Sequence, residues 1–85
     1  MSEPVIIAEL AKNGSETVRV QLTEYSGHRL VDARVFTEYR ATGEVGPTKR
    51  GLSMKVEQLD DLISALKKAR DRAHALGWLD GGADD

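Results

Sequence analysis

Cysteine is absent from this 85-residue chain, so neither a disulfide nor a thiolate metal site can hold it together. Apolar runs are short, and none approaches the roughly 20 residues needed to cross a bilayer. No N-terminal signal pattern is present, so the expected location is cytoplasmic, with no membrane partner. Internal repeats and low-complexity stretches are also missing. Eighty-five residues leave room for one core. A domain of this size buries only about 60–65% of the surface its unfolded form exposes, and association of two copies is a natural remedy.

Catalytic machinery is equally hard to find. His28 and His74 lie far apart in sequence without a cysteine partner, which argues against a metal site. The stretch GPTKRGLS spaces two glycines as a phosphate-binding loop does. However, Leu52-Ser53 stands where that loop needs Lys-Ser/Thr, and a strand rather than a helix follows. Asp60 and Asp61 are adjacent on a helix and diverge by ~100°, which suits a solvated first turn better than an acid/base pair. Asn13-Gly14-Ser15 fits a glycosylation sequon but reads as a turn. No nucleophile–base pair can be assembled, so neither an enzyme nor a cofactor is expected.

Charge is unevenly spread. The formal net charge is −2, yet residues 12–56 carry eight Lys/Arg against five acids, and the acidic excess lies at the two ends. A basic middle can bind an anion despite a negative total, because charges beyond about 8–10 Å are screened. A solvated strand surface could have the same composition.

Periodicity gives the element order. EPVIIAEL is a β-branched run, followed by Asn13-Gly14, a tight turn expected to use positive φ. In ETVRVQLTEY, Val18, Val20 and Leu22 face one side, while Arg19, Gln21, Thr23 and Tyr25 face the other. Ser26-Gly27 turns the chain into HRLVDARVFTEY, where Val31, Ala33 and Val35 oppose Asp32, Arg34 and Phe36. RATGEVGPT reads as a loop and KRGLSM as a short fourth strand. From about Val56 the period becomes helical: Leu59, Leu62, Ile63 and Leu66 begin an apolar stripe that runs to Leu76, and Gly77 ends it. Leu59, Leu62, Ile63 and Leu66 are the expected dimer interface, with Trp78 capping the end of that core. The fold class is α+β: a curved four-stranded antiparallel sheet and one C-terminal helix over residues 1–78, then a disordered acidic tail at 79–85.

With one helix available, one sheet face should stay near solvent with Arg19, Tyr25, Arg34 and Phe36. Aromatics interleaved with cations suit single-stranded nucleic acid, in which bases stack on rings at about 1–3 kcal/mol each and cations follow phosphates.

Three segments, in order, carry a resemblance: EYSGH, LVDARVF, and KRGLSM followed by EQL. Over about residues 16–69 the chain resembles the single-strand-binding domain of the eukaryotic transcriptional coactivator positive cofactor four and its bacterial relatives. The resemblance implies a homodimer with two channels for unpaired strands. It implies base stacking at Tyr25, a basic hairpin position at His28 and a phosphate contact at Arg34. It further implies phosphate contacts at the pair Lys49 and Arg50, with Gly51 permitting close backbone approach. Thr37 replaces a second stacking aromatic: either Tyr39, two residues on and of the same strand parity, substitutes for it or one stacking platform is lost. Thr23, Ser26 and Gly46 stand where the family has cations, so weaker, salt-dependent affinity is expected. Lys55 replaces a helix-capping asparagine, so a less firm helix start is expected.

The expected ligand is therefore single-stranded DNA, with RNA or melted duplex as variants. The transcription machinery is the expected protein partner, and nucleoid association is expected in a bacterium. The alternative is a protein-interaction adaptor on the same fold.

Overall fold

The computed structural model describes residues 3–79. All but Leu79 of the expected disordered tail lies outside the described residues. Four strands pair antiparallel in sequence order: β1 (Val5–Ala11), β2 (Glu16–Tyr25), β3 (His28–Glu38) and β4 (Val45–Lys55). A 3-10 turn over Val56–Gln58 leads into α1 (Leu59–Ala75). The α+β architecture is the one the alternating and helical periods predict.

The β2–β3 hairpin is the frame. Its ten cross-strand pairs run unbroken from Glu16↔Thr37 to Tyr25↔His28. Ser26 (φ 52°) and Gly27 (φ 77°) close it with positive φ at both central residues, the turn that matches the twist of paired strands. This register places Val18, Val20 and Leu22 opposite Val35, Ala33 and Val31, making one apolar face. It places Thr17, Arg19 and Gln21 opposite Phe36, Arg34 and Asp32 on the other.

Two local expectations need correction. Gly14 has no positive φ. The first turn is instead held by the Asn13 side chain, whose Oδ1 accepts the Ser15 N–H at 3.1 Å, an Asx turn that needs no left-handed glycine. The fourth strand also begins earlier than its glycines and proline suggest, at Val45. Pro47 is accommodated because β4 is an edge strand. Between the pairs Phe36↔Pro47 and Arg34↔Gly51, Val35 alone faces three residues, Thr48, Lys49 and Arg50. The bulge lifts that segment out of the ladder.

Gly51 closes the bulge where two backbones nearly touch. A Cβ there would lie 2.5 Å from the Ala33 carbonyl oxygen and 2.8 Å from the Arg34 Cα. Only glycine fits without moving backbone.

The helix start has no side-chain cap at Lys55 or Gln58, whereas Asp60 and Asp61 favour its N-terminal dipole. At the other end the Gly77 N–H bonds to the His74 carbonyl at 3.0 Å and the Trp78 N–H to that of Ala73 at 2.9 Å. This is the paired bonding of a Schellman cap.

The helix does not lie across the sheet. α1 packs against the 3-10 turn, which in turn touches β3. No residue of α1 is buried, and among the described residues the buried apolar core is Val31, Val35 and Phe36. The radius of gyration is 15.7 Å, against about 12 Å for a compact chain of this length. A largely apolar groove of about 390 Å³, lined in part by Val5, Leu22, Leu30, Val56 and Leu59, stays open between the sheet and the start of the helix.

Replacing Gly51 with alanine should destabilise the protein by more than about 1 kcal/mol, read as a lower midpoint in urea unfolding. An unchanged midpoint would mean that β3 and β4 can separate at little cost.

Candidate functional site

The polar sheet face is a closed set of contacts. Asp32, only 6% exposed, accepts two bonds from Arg34, Nε to Oδ2 at 3.1 Å and Nη2 to Oδ1 at 2.8 Å. Gln21 Nε2 adds a longer bond to Oδ2 at 3.5 Å. The remaining Arg34 nitrogen, Nη1, donates to the Thr48 carbonyl at 3.2 Å. Asp32 thereby holds the Arg34 guanidinium charged even more firmly than usual. Arg19 is the cross-strand neighbour of Arg34, an arrangement that would repel if both were free. It is drawn aside by Glu9, Nε to Oε2 at 2.8 Å, and its guanidinium lies 4.0 Å above the centre of the Phe36 ring.

Phe36 therefore departs from the expectation that it stays near solvent, whereas Arg34 keeps about 25% of its side chain accessible. Phe36 is 8% exposed, covered by Arg19, and cannot accept a base as it stands. Arg34 is half-buried with all three nitrogens engaged. Truncating it would leave the Asp32 carboxylate buried with only Gln21, so Arg34→Ala perturbs the fold as well as any ligand contact.

The bulge forms a second centre. Lys49 and Arg50 are both exposed, and Lys49 has no ion-pair partner among the described residues. Arg50 is bonded to the Glu16 carboxylate. Asn13 Nδ2 also donates to Glu16, at 3.0 Å, and Lys12 Nζ approaches it at 3.5 Å. These contacts, Arg50 first, hold the Glu16 carboxyl below its usual range. Glu16 has the strand parity of Val18, so Arg50 reaches toward the apolar face while Arg34 lies on the other. Arg50 and Arg34 therefore do not make one row. Thr48 was not legible as a site residue. Its hydroxyl donates to the Val35 carbonyl at 2.8 Å and accepts the Arg50 N–H at 3.1 Å. Tyr39, just past β3, is anchored by its hydroxyl to the Pro47 carbonyl at 2.9 Å, leaving the side chain partly exposed beside the bulge.

The hairpin tip is the third centre. Tyr25 is 70% exposed and pairs across the turn with exposed His28. Below them a polar recess is lined by Glu24, His28, Arg29, Lys55 and Glu57. Tyr25 and His28 thus sit at one end of the sheet, and Tyr39, Lys49, Arg50 and Gly51 at the other. No cluster of three or more His/Cys/Asp/Glu side chains suited to a metal occurs among the described residues.

The described residues thus form a four-stranded antiparallel meander followed by one helix, with an exposed aromatic hairpin tip and a basic bulge. Residues 12–65 match the family model described as Transcriptional Coactivator p15 (PC4), and the chain belongs to that family. Among solved structures it is similar to a PC4 homologue of Burkholderia pseudomallei. In the tetragonal crystal form the two share 31% identity, covering 80% of this chain and 98% of that one, with a TM-score of 0.71. The orthorhombic form gives 30% identity over 82% and 93%, with the same score. The fold is also that of a bacteriophage T5 homologue of the eukaryotic coactivator PC4, at 23% identity, 89% and 86% coverage and a TM-score of 0.70. Comparison with curated proteins finds no significant match.

Because the Glu16 carboxyl titrates lower when folded, its stabilising effect is fully present above its unfolded value near 4.5 and is lost as pH falls through the folded value. Thermal unfolding of wild type and Glu16→Gln should differ at neutral pH, wild type being the more stable. The two should converge in acid. A difference that stays constant down to about pH 2.5 would show that the contacts do not depend on the carboxylate charge.

Proposed function

We propose that this protein binds single-stranded DNA as a homodimer and acts in transcription regulation or related transactions of unpaired strands. The observation that carries this reading is the layout of the sheet, with an exposed aromatic hairpin tip at one end and a basic bulge with a second tyrosine at the other. The eight residue steps along β3 from His28 to Phe36 span roughly 26 Å. A ligand that uses both ends must be extended, anionic and able to stack on rings, which describes an unpaired nucleic-acid strand better than a small molecule. Tyr25 and Tyr39 are the stacking platforms, Lys49 and Arg50 the phosphate contacts. Arg34 supports the site from behind, through Thr48. The family membership supports the same reading, and the phage relative, implicated in recombination-dependent DNA replication, illustrates one such transaction. RNA is a variant ligand, because stacking and phosphate contacts tolerate either sugar.

A second reading has its own observation. Arg19, Arg34 and Arg50 are each already paired with an acid, Glu9, Asp32 and Glu16. A surface so neutralised also suits a protein-interaction adaptor.

The homodimer rests on uncovered apolar surface. Leu59 and Leu62 are half-buried, but Ile63 and Leu66 are exposed, Leu66 at 59%, and Trp78 is exposed beyond the cap. Burial is worth about 25 cal/mol per Å² of apolar area, and a second copy supplies the missing partner for this stripe and for the groove beside it.

Two measurements test the proposal. Fluorescence anisotropy with a labelled oligothymidine should show salt-sensitive binding, and the double change Lys49→Ala/Arg50→Ala should flatten the log K–log salt slope by about 1.4, two phosphates' worth. Absence of binding at low salt would favour the adaptor. By sedimentation the protein should be a dimer at micromolar concentration and Leu66→Glu a monomer. A wild-type monomer would remove the two-copy arrangement.

A further inference from the structure

Thr48 stands where the chain leaves the ladder and carries no charge or ring to mark it. We propose that Thr48 is a positioning residue that holds Lys49 and Arg50 in binding geometry, an inference that rests on the nucleic-acid reading of the bulge. Three contacts converge on it. Its hydroxyl donates to the carbonyl of Val35, the lone residue opposite the bulge, at 2.8 Å. The same oxygen accepts the Arg50 N–H at 3.1 Å, so one hydroxyl spans the segment containing both cations. Its carbonyl accepts Arg34 Nη1 at 3.2 Å, and Arg34 is clamped to the buried Asp32.

The chemistry explains why a hydroxyl is needed. Two extra residues in an edge strand leave a carbonyl of β3 and an amide of β4 without ladder partners. A group that donates and accepts at once satisfies both, and a serine or threonine hydroxyl does so. The β-branch further restricts χ1. Lys49, which makes no ion pair among the described residues, depends on this local tether for its direction. Flexible cations still attract a phosphate chain, but they lose affinity to the ordering of the segment on binding.

The test compares wild type, Thr48→Val, Thr48→Ser and Lys49→Ala/Arg50→Ala for binding to a labelled oligothymidine across a salt series, with melting temperatures measured on each. Thr48→Val removes the hydroxyl at nearly constant shape. It should lower affinity about two- to tenfold, the cost of ordering about one long side chain on binding, and flatten the salt slope. Thr48→Ser should restore both. A folded Thr48→Val with wild-type affinity and slope overturns the proposal, as does a Thr48→Ser as weak as the valine variant. If Thr48→Val does not fold, hydrogen exchange of the wild-type Arg50 amide decides. Protection supports the tether, and exchange at the rate of an open amide overturns it. If the double alanine variant keeps full affinity, the binding reading itself fails and takes the proposal with it. If only the double variant weakens binding, the positioning role alone is lost.

Discussion

The buried carboxylate of Asp32 is the constraint from which much of the sheet follows. A carboxylate in the central strand must be paired, because a buried charge without a partner costs far more than any one hydrogen bond returns. Arg34, two residues on and on the same face, supplies a bidentate partner, and its third nitrogen reaches the bulge backbone. With Arg34 committed, its cross-strand neighbour Arg19 is turned toward Glu9 and covers Phe36. One buried acid thus organises two cations and a ring, and it turns a face that could have been a flat stacking platform into a closed polar layer.

Much of the fold was readable because it rests on periods. The alternation of ETVRVQLTEY and LVDARVF predicts both faces of the central hairpin, and the register agrees pair by pair. Ser26-Gly27 and Gly77 announce a turn and a helix end for conformational reasons that act within a few residues. What alternation cannot convey is what happens above the sheet plane. Parity placed Phe36 on the polar face correctly but could not say that Arg19 would lie across its ring. The bulge was hidden for a related reason: Gly46-Pro47 looks like a loop, and only the partner strand shows that Val35 faces three residues. Gly51 was marked for close approach, and the Ala33 carbonyl is what it approaches. Thr48 gave no signal, since a lone threonine beside a proline has many ordinary explanations.

The charge pattern takes on a different meaning once side chains are placed. The basic surplus of the middle segment is not a set of free cations, since Glu9, Asp32 and Glu16 each hold one arginine. Any polyanion must compete with these carboxylates, two of which, Glu9 and Glu16, lie at the margins of the sheet. The arrangement favours reversible, salt-sensitive contacts over permanent ones. It also separates roles: Asp32 and Arg34 keep the backbone in place, while Lys49 and the tyrosines meet the solvent.

The strand order has a consequence for how the molecule forms. Every ladder joins consecutive strands, so no strand waits for a distant segment before it can pair. Pairing of sequence neighbours keeps the loop closures short, and the β2–β3 hairpin, with its favourable turn and continuous register, is the most local ladder of the sheet. The helix is joined to the sheet chiefly by the 3-10 turn and by its first residue, Leu59, which lines the groove with Leu22 and Leu30. In a chain wired this way the sheet is assembled from neighbouring segments alone, and covering the apolar stripe of the helix is a separate event.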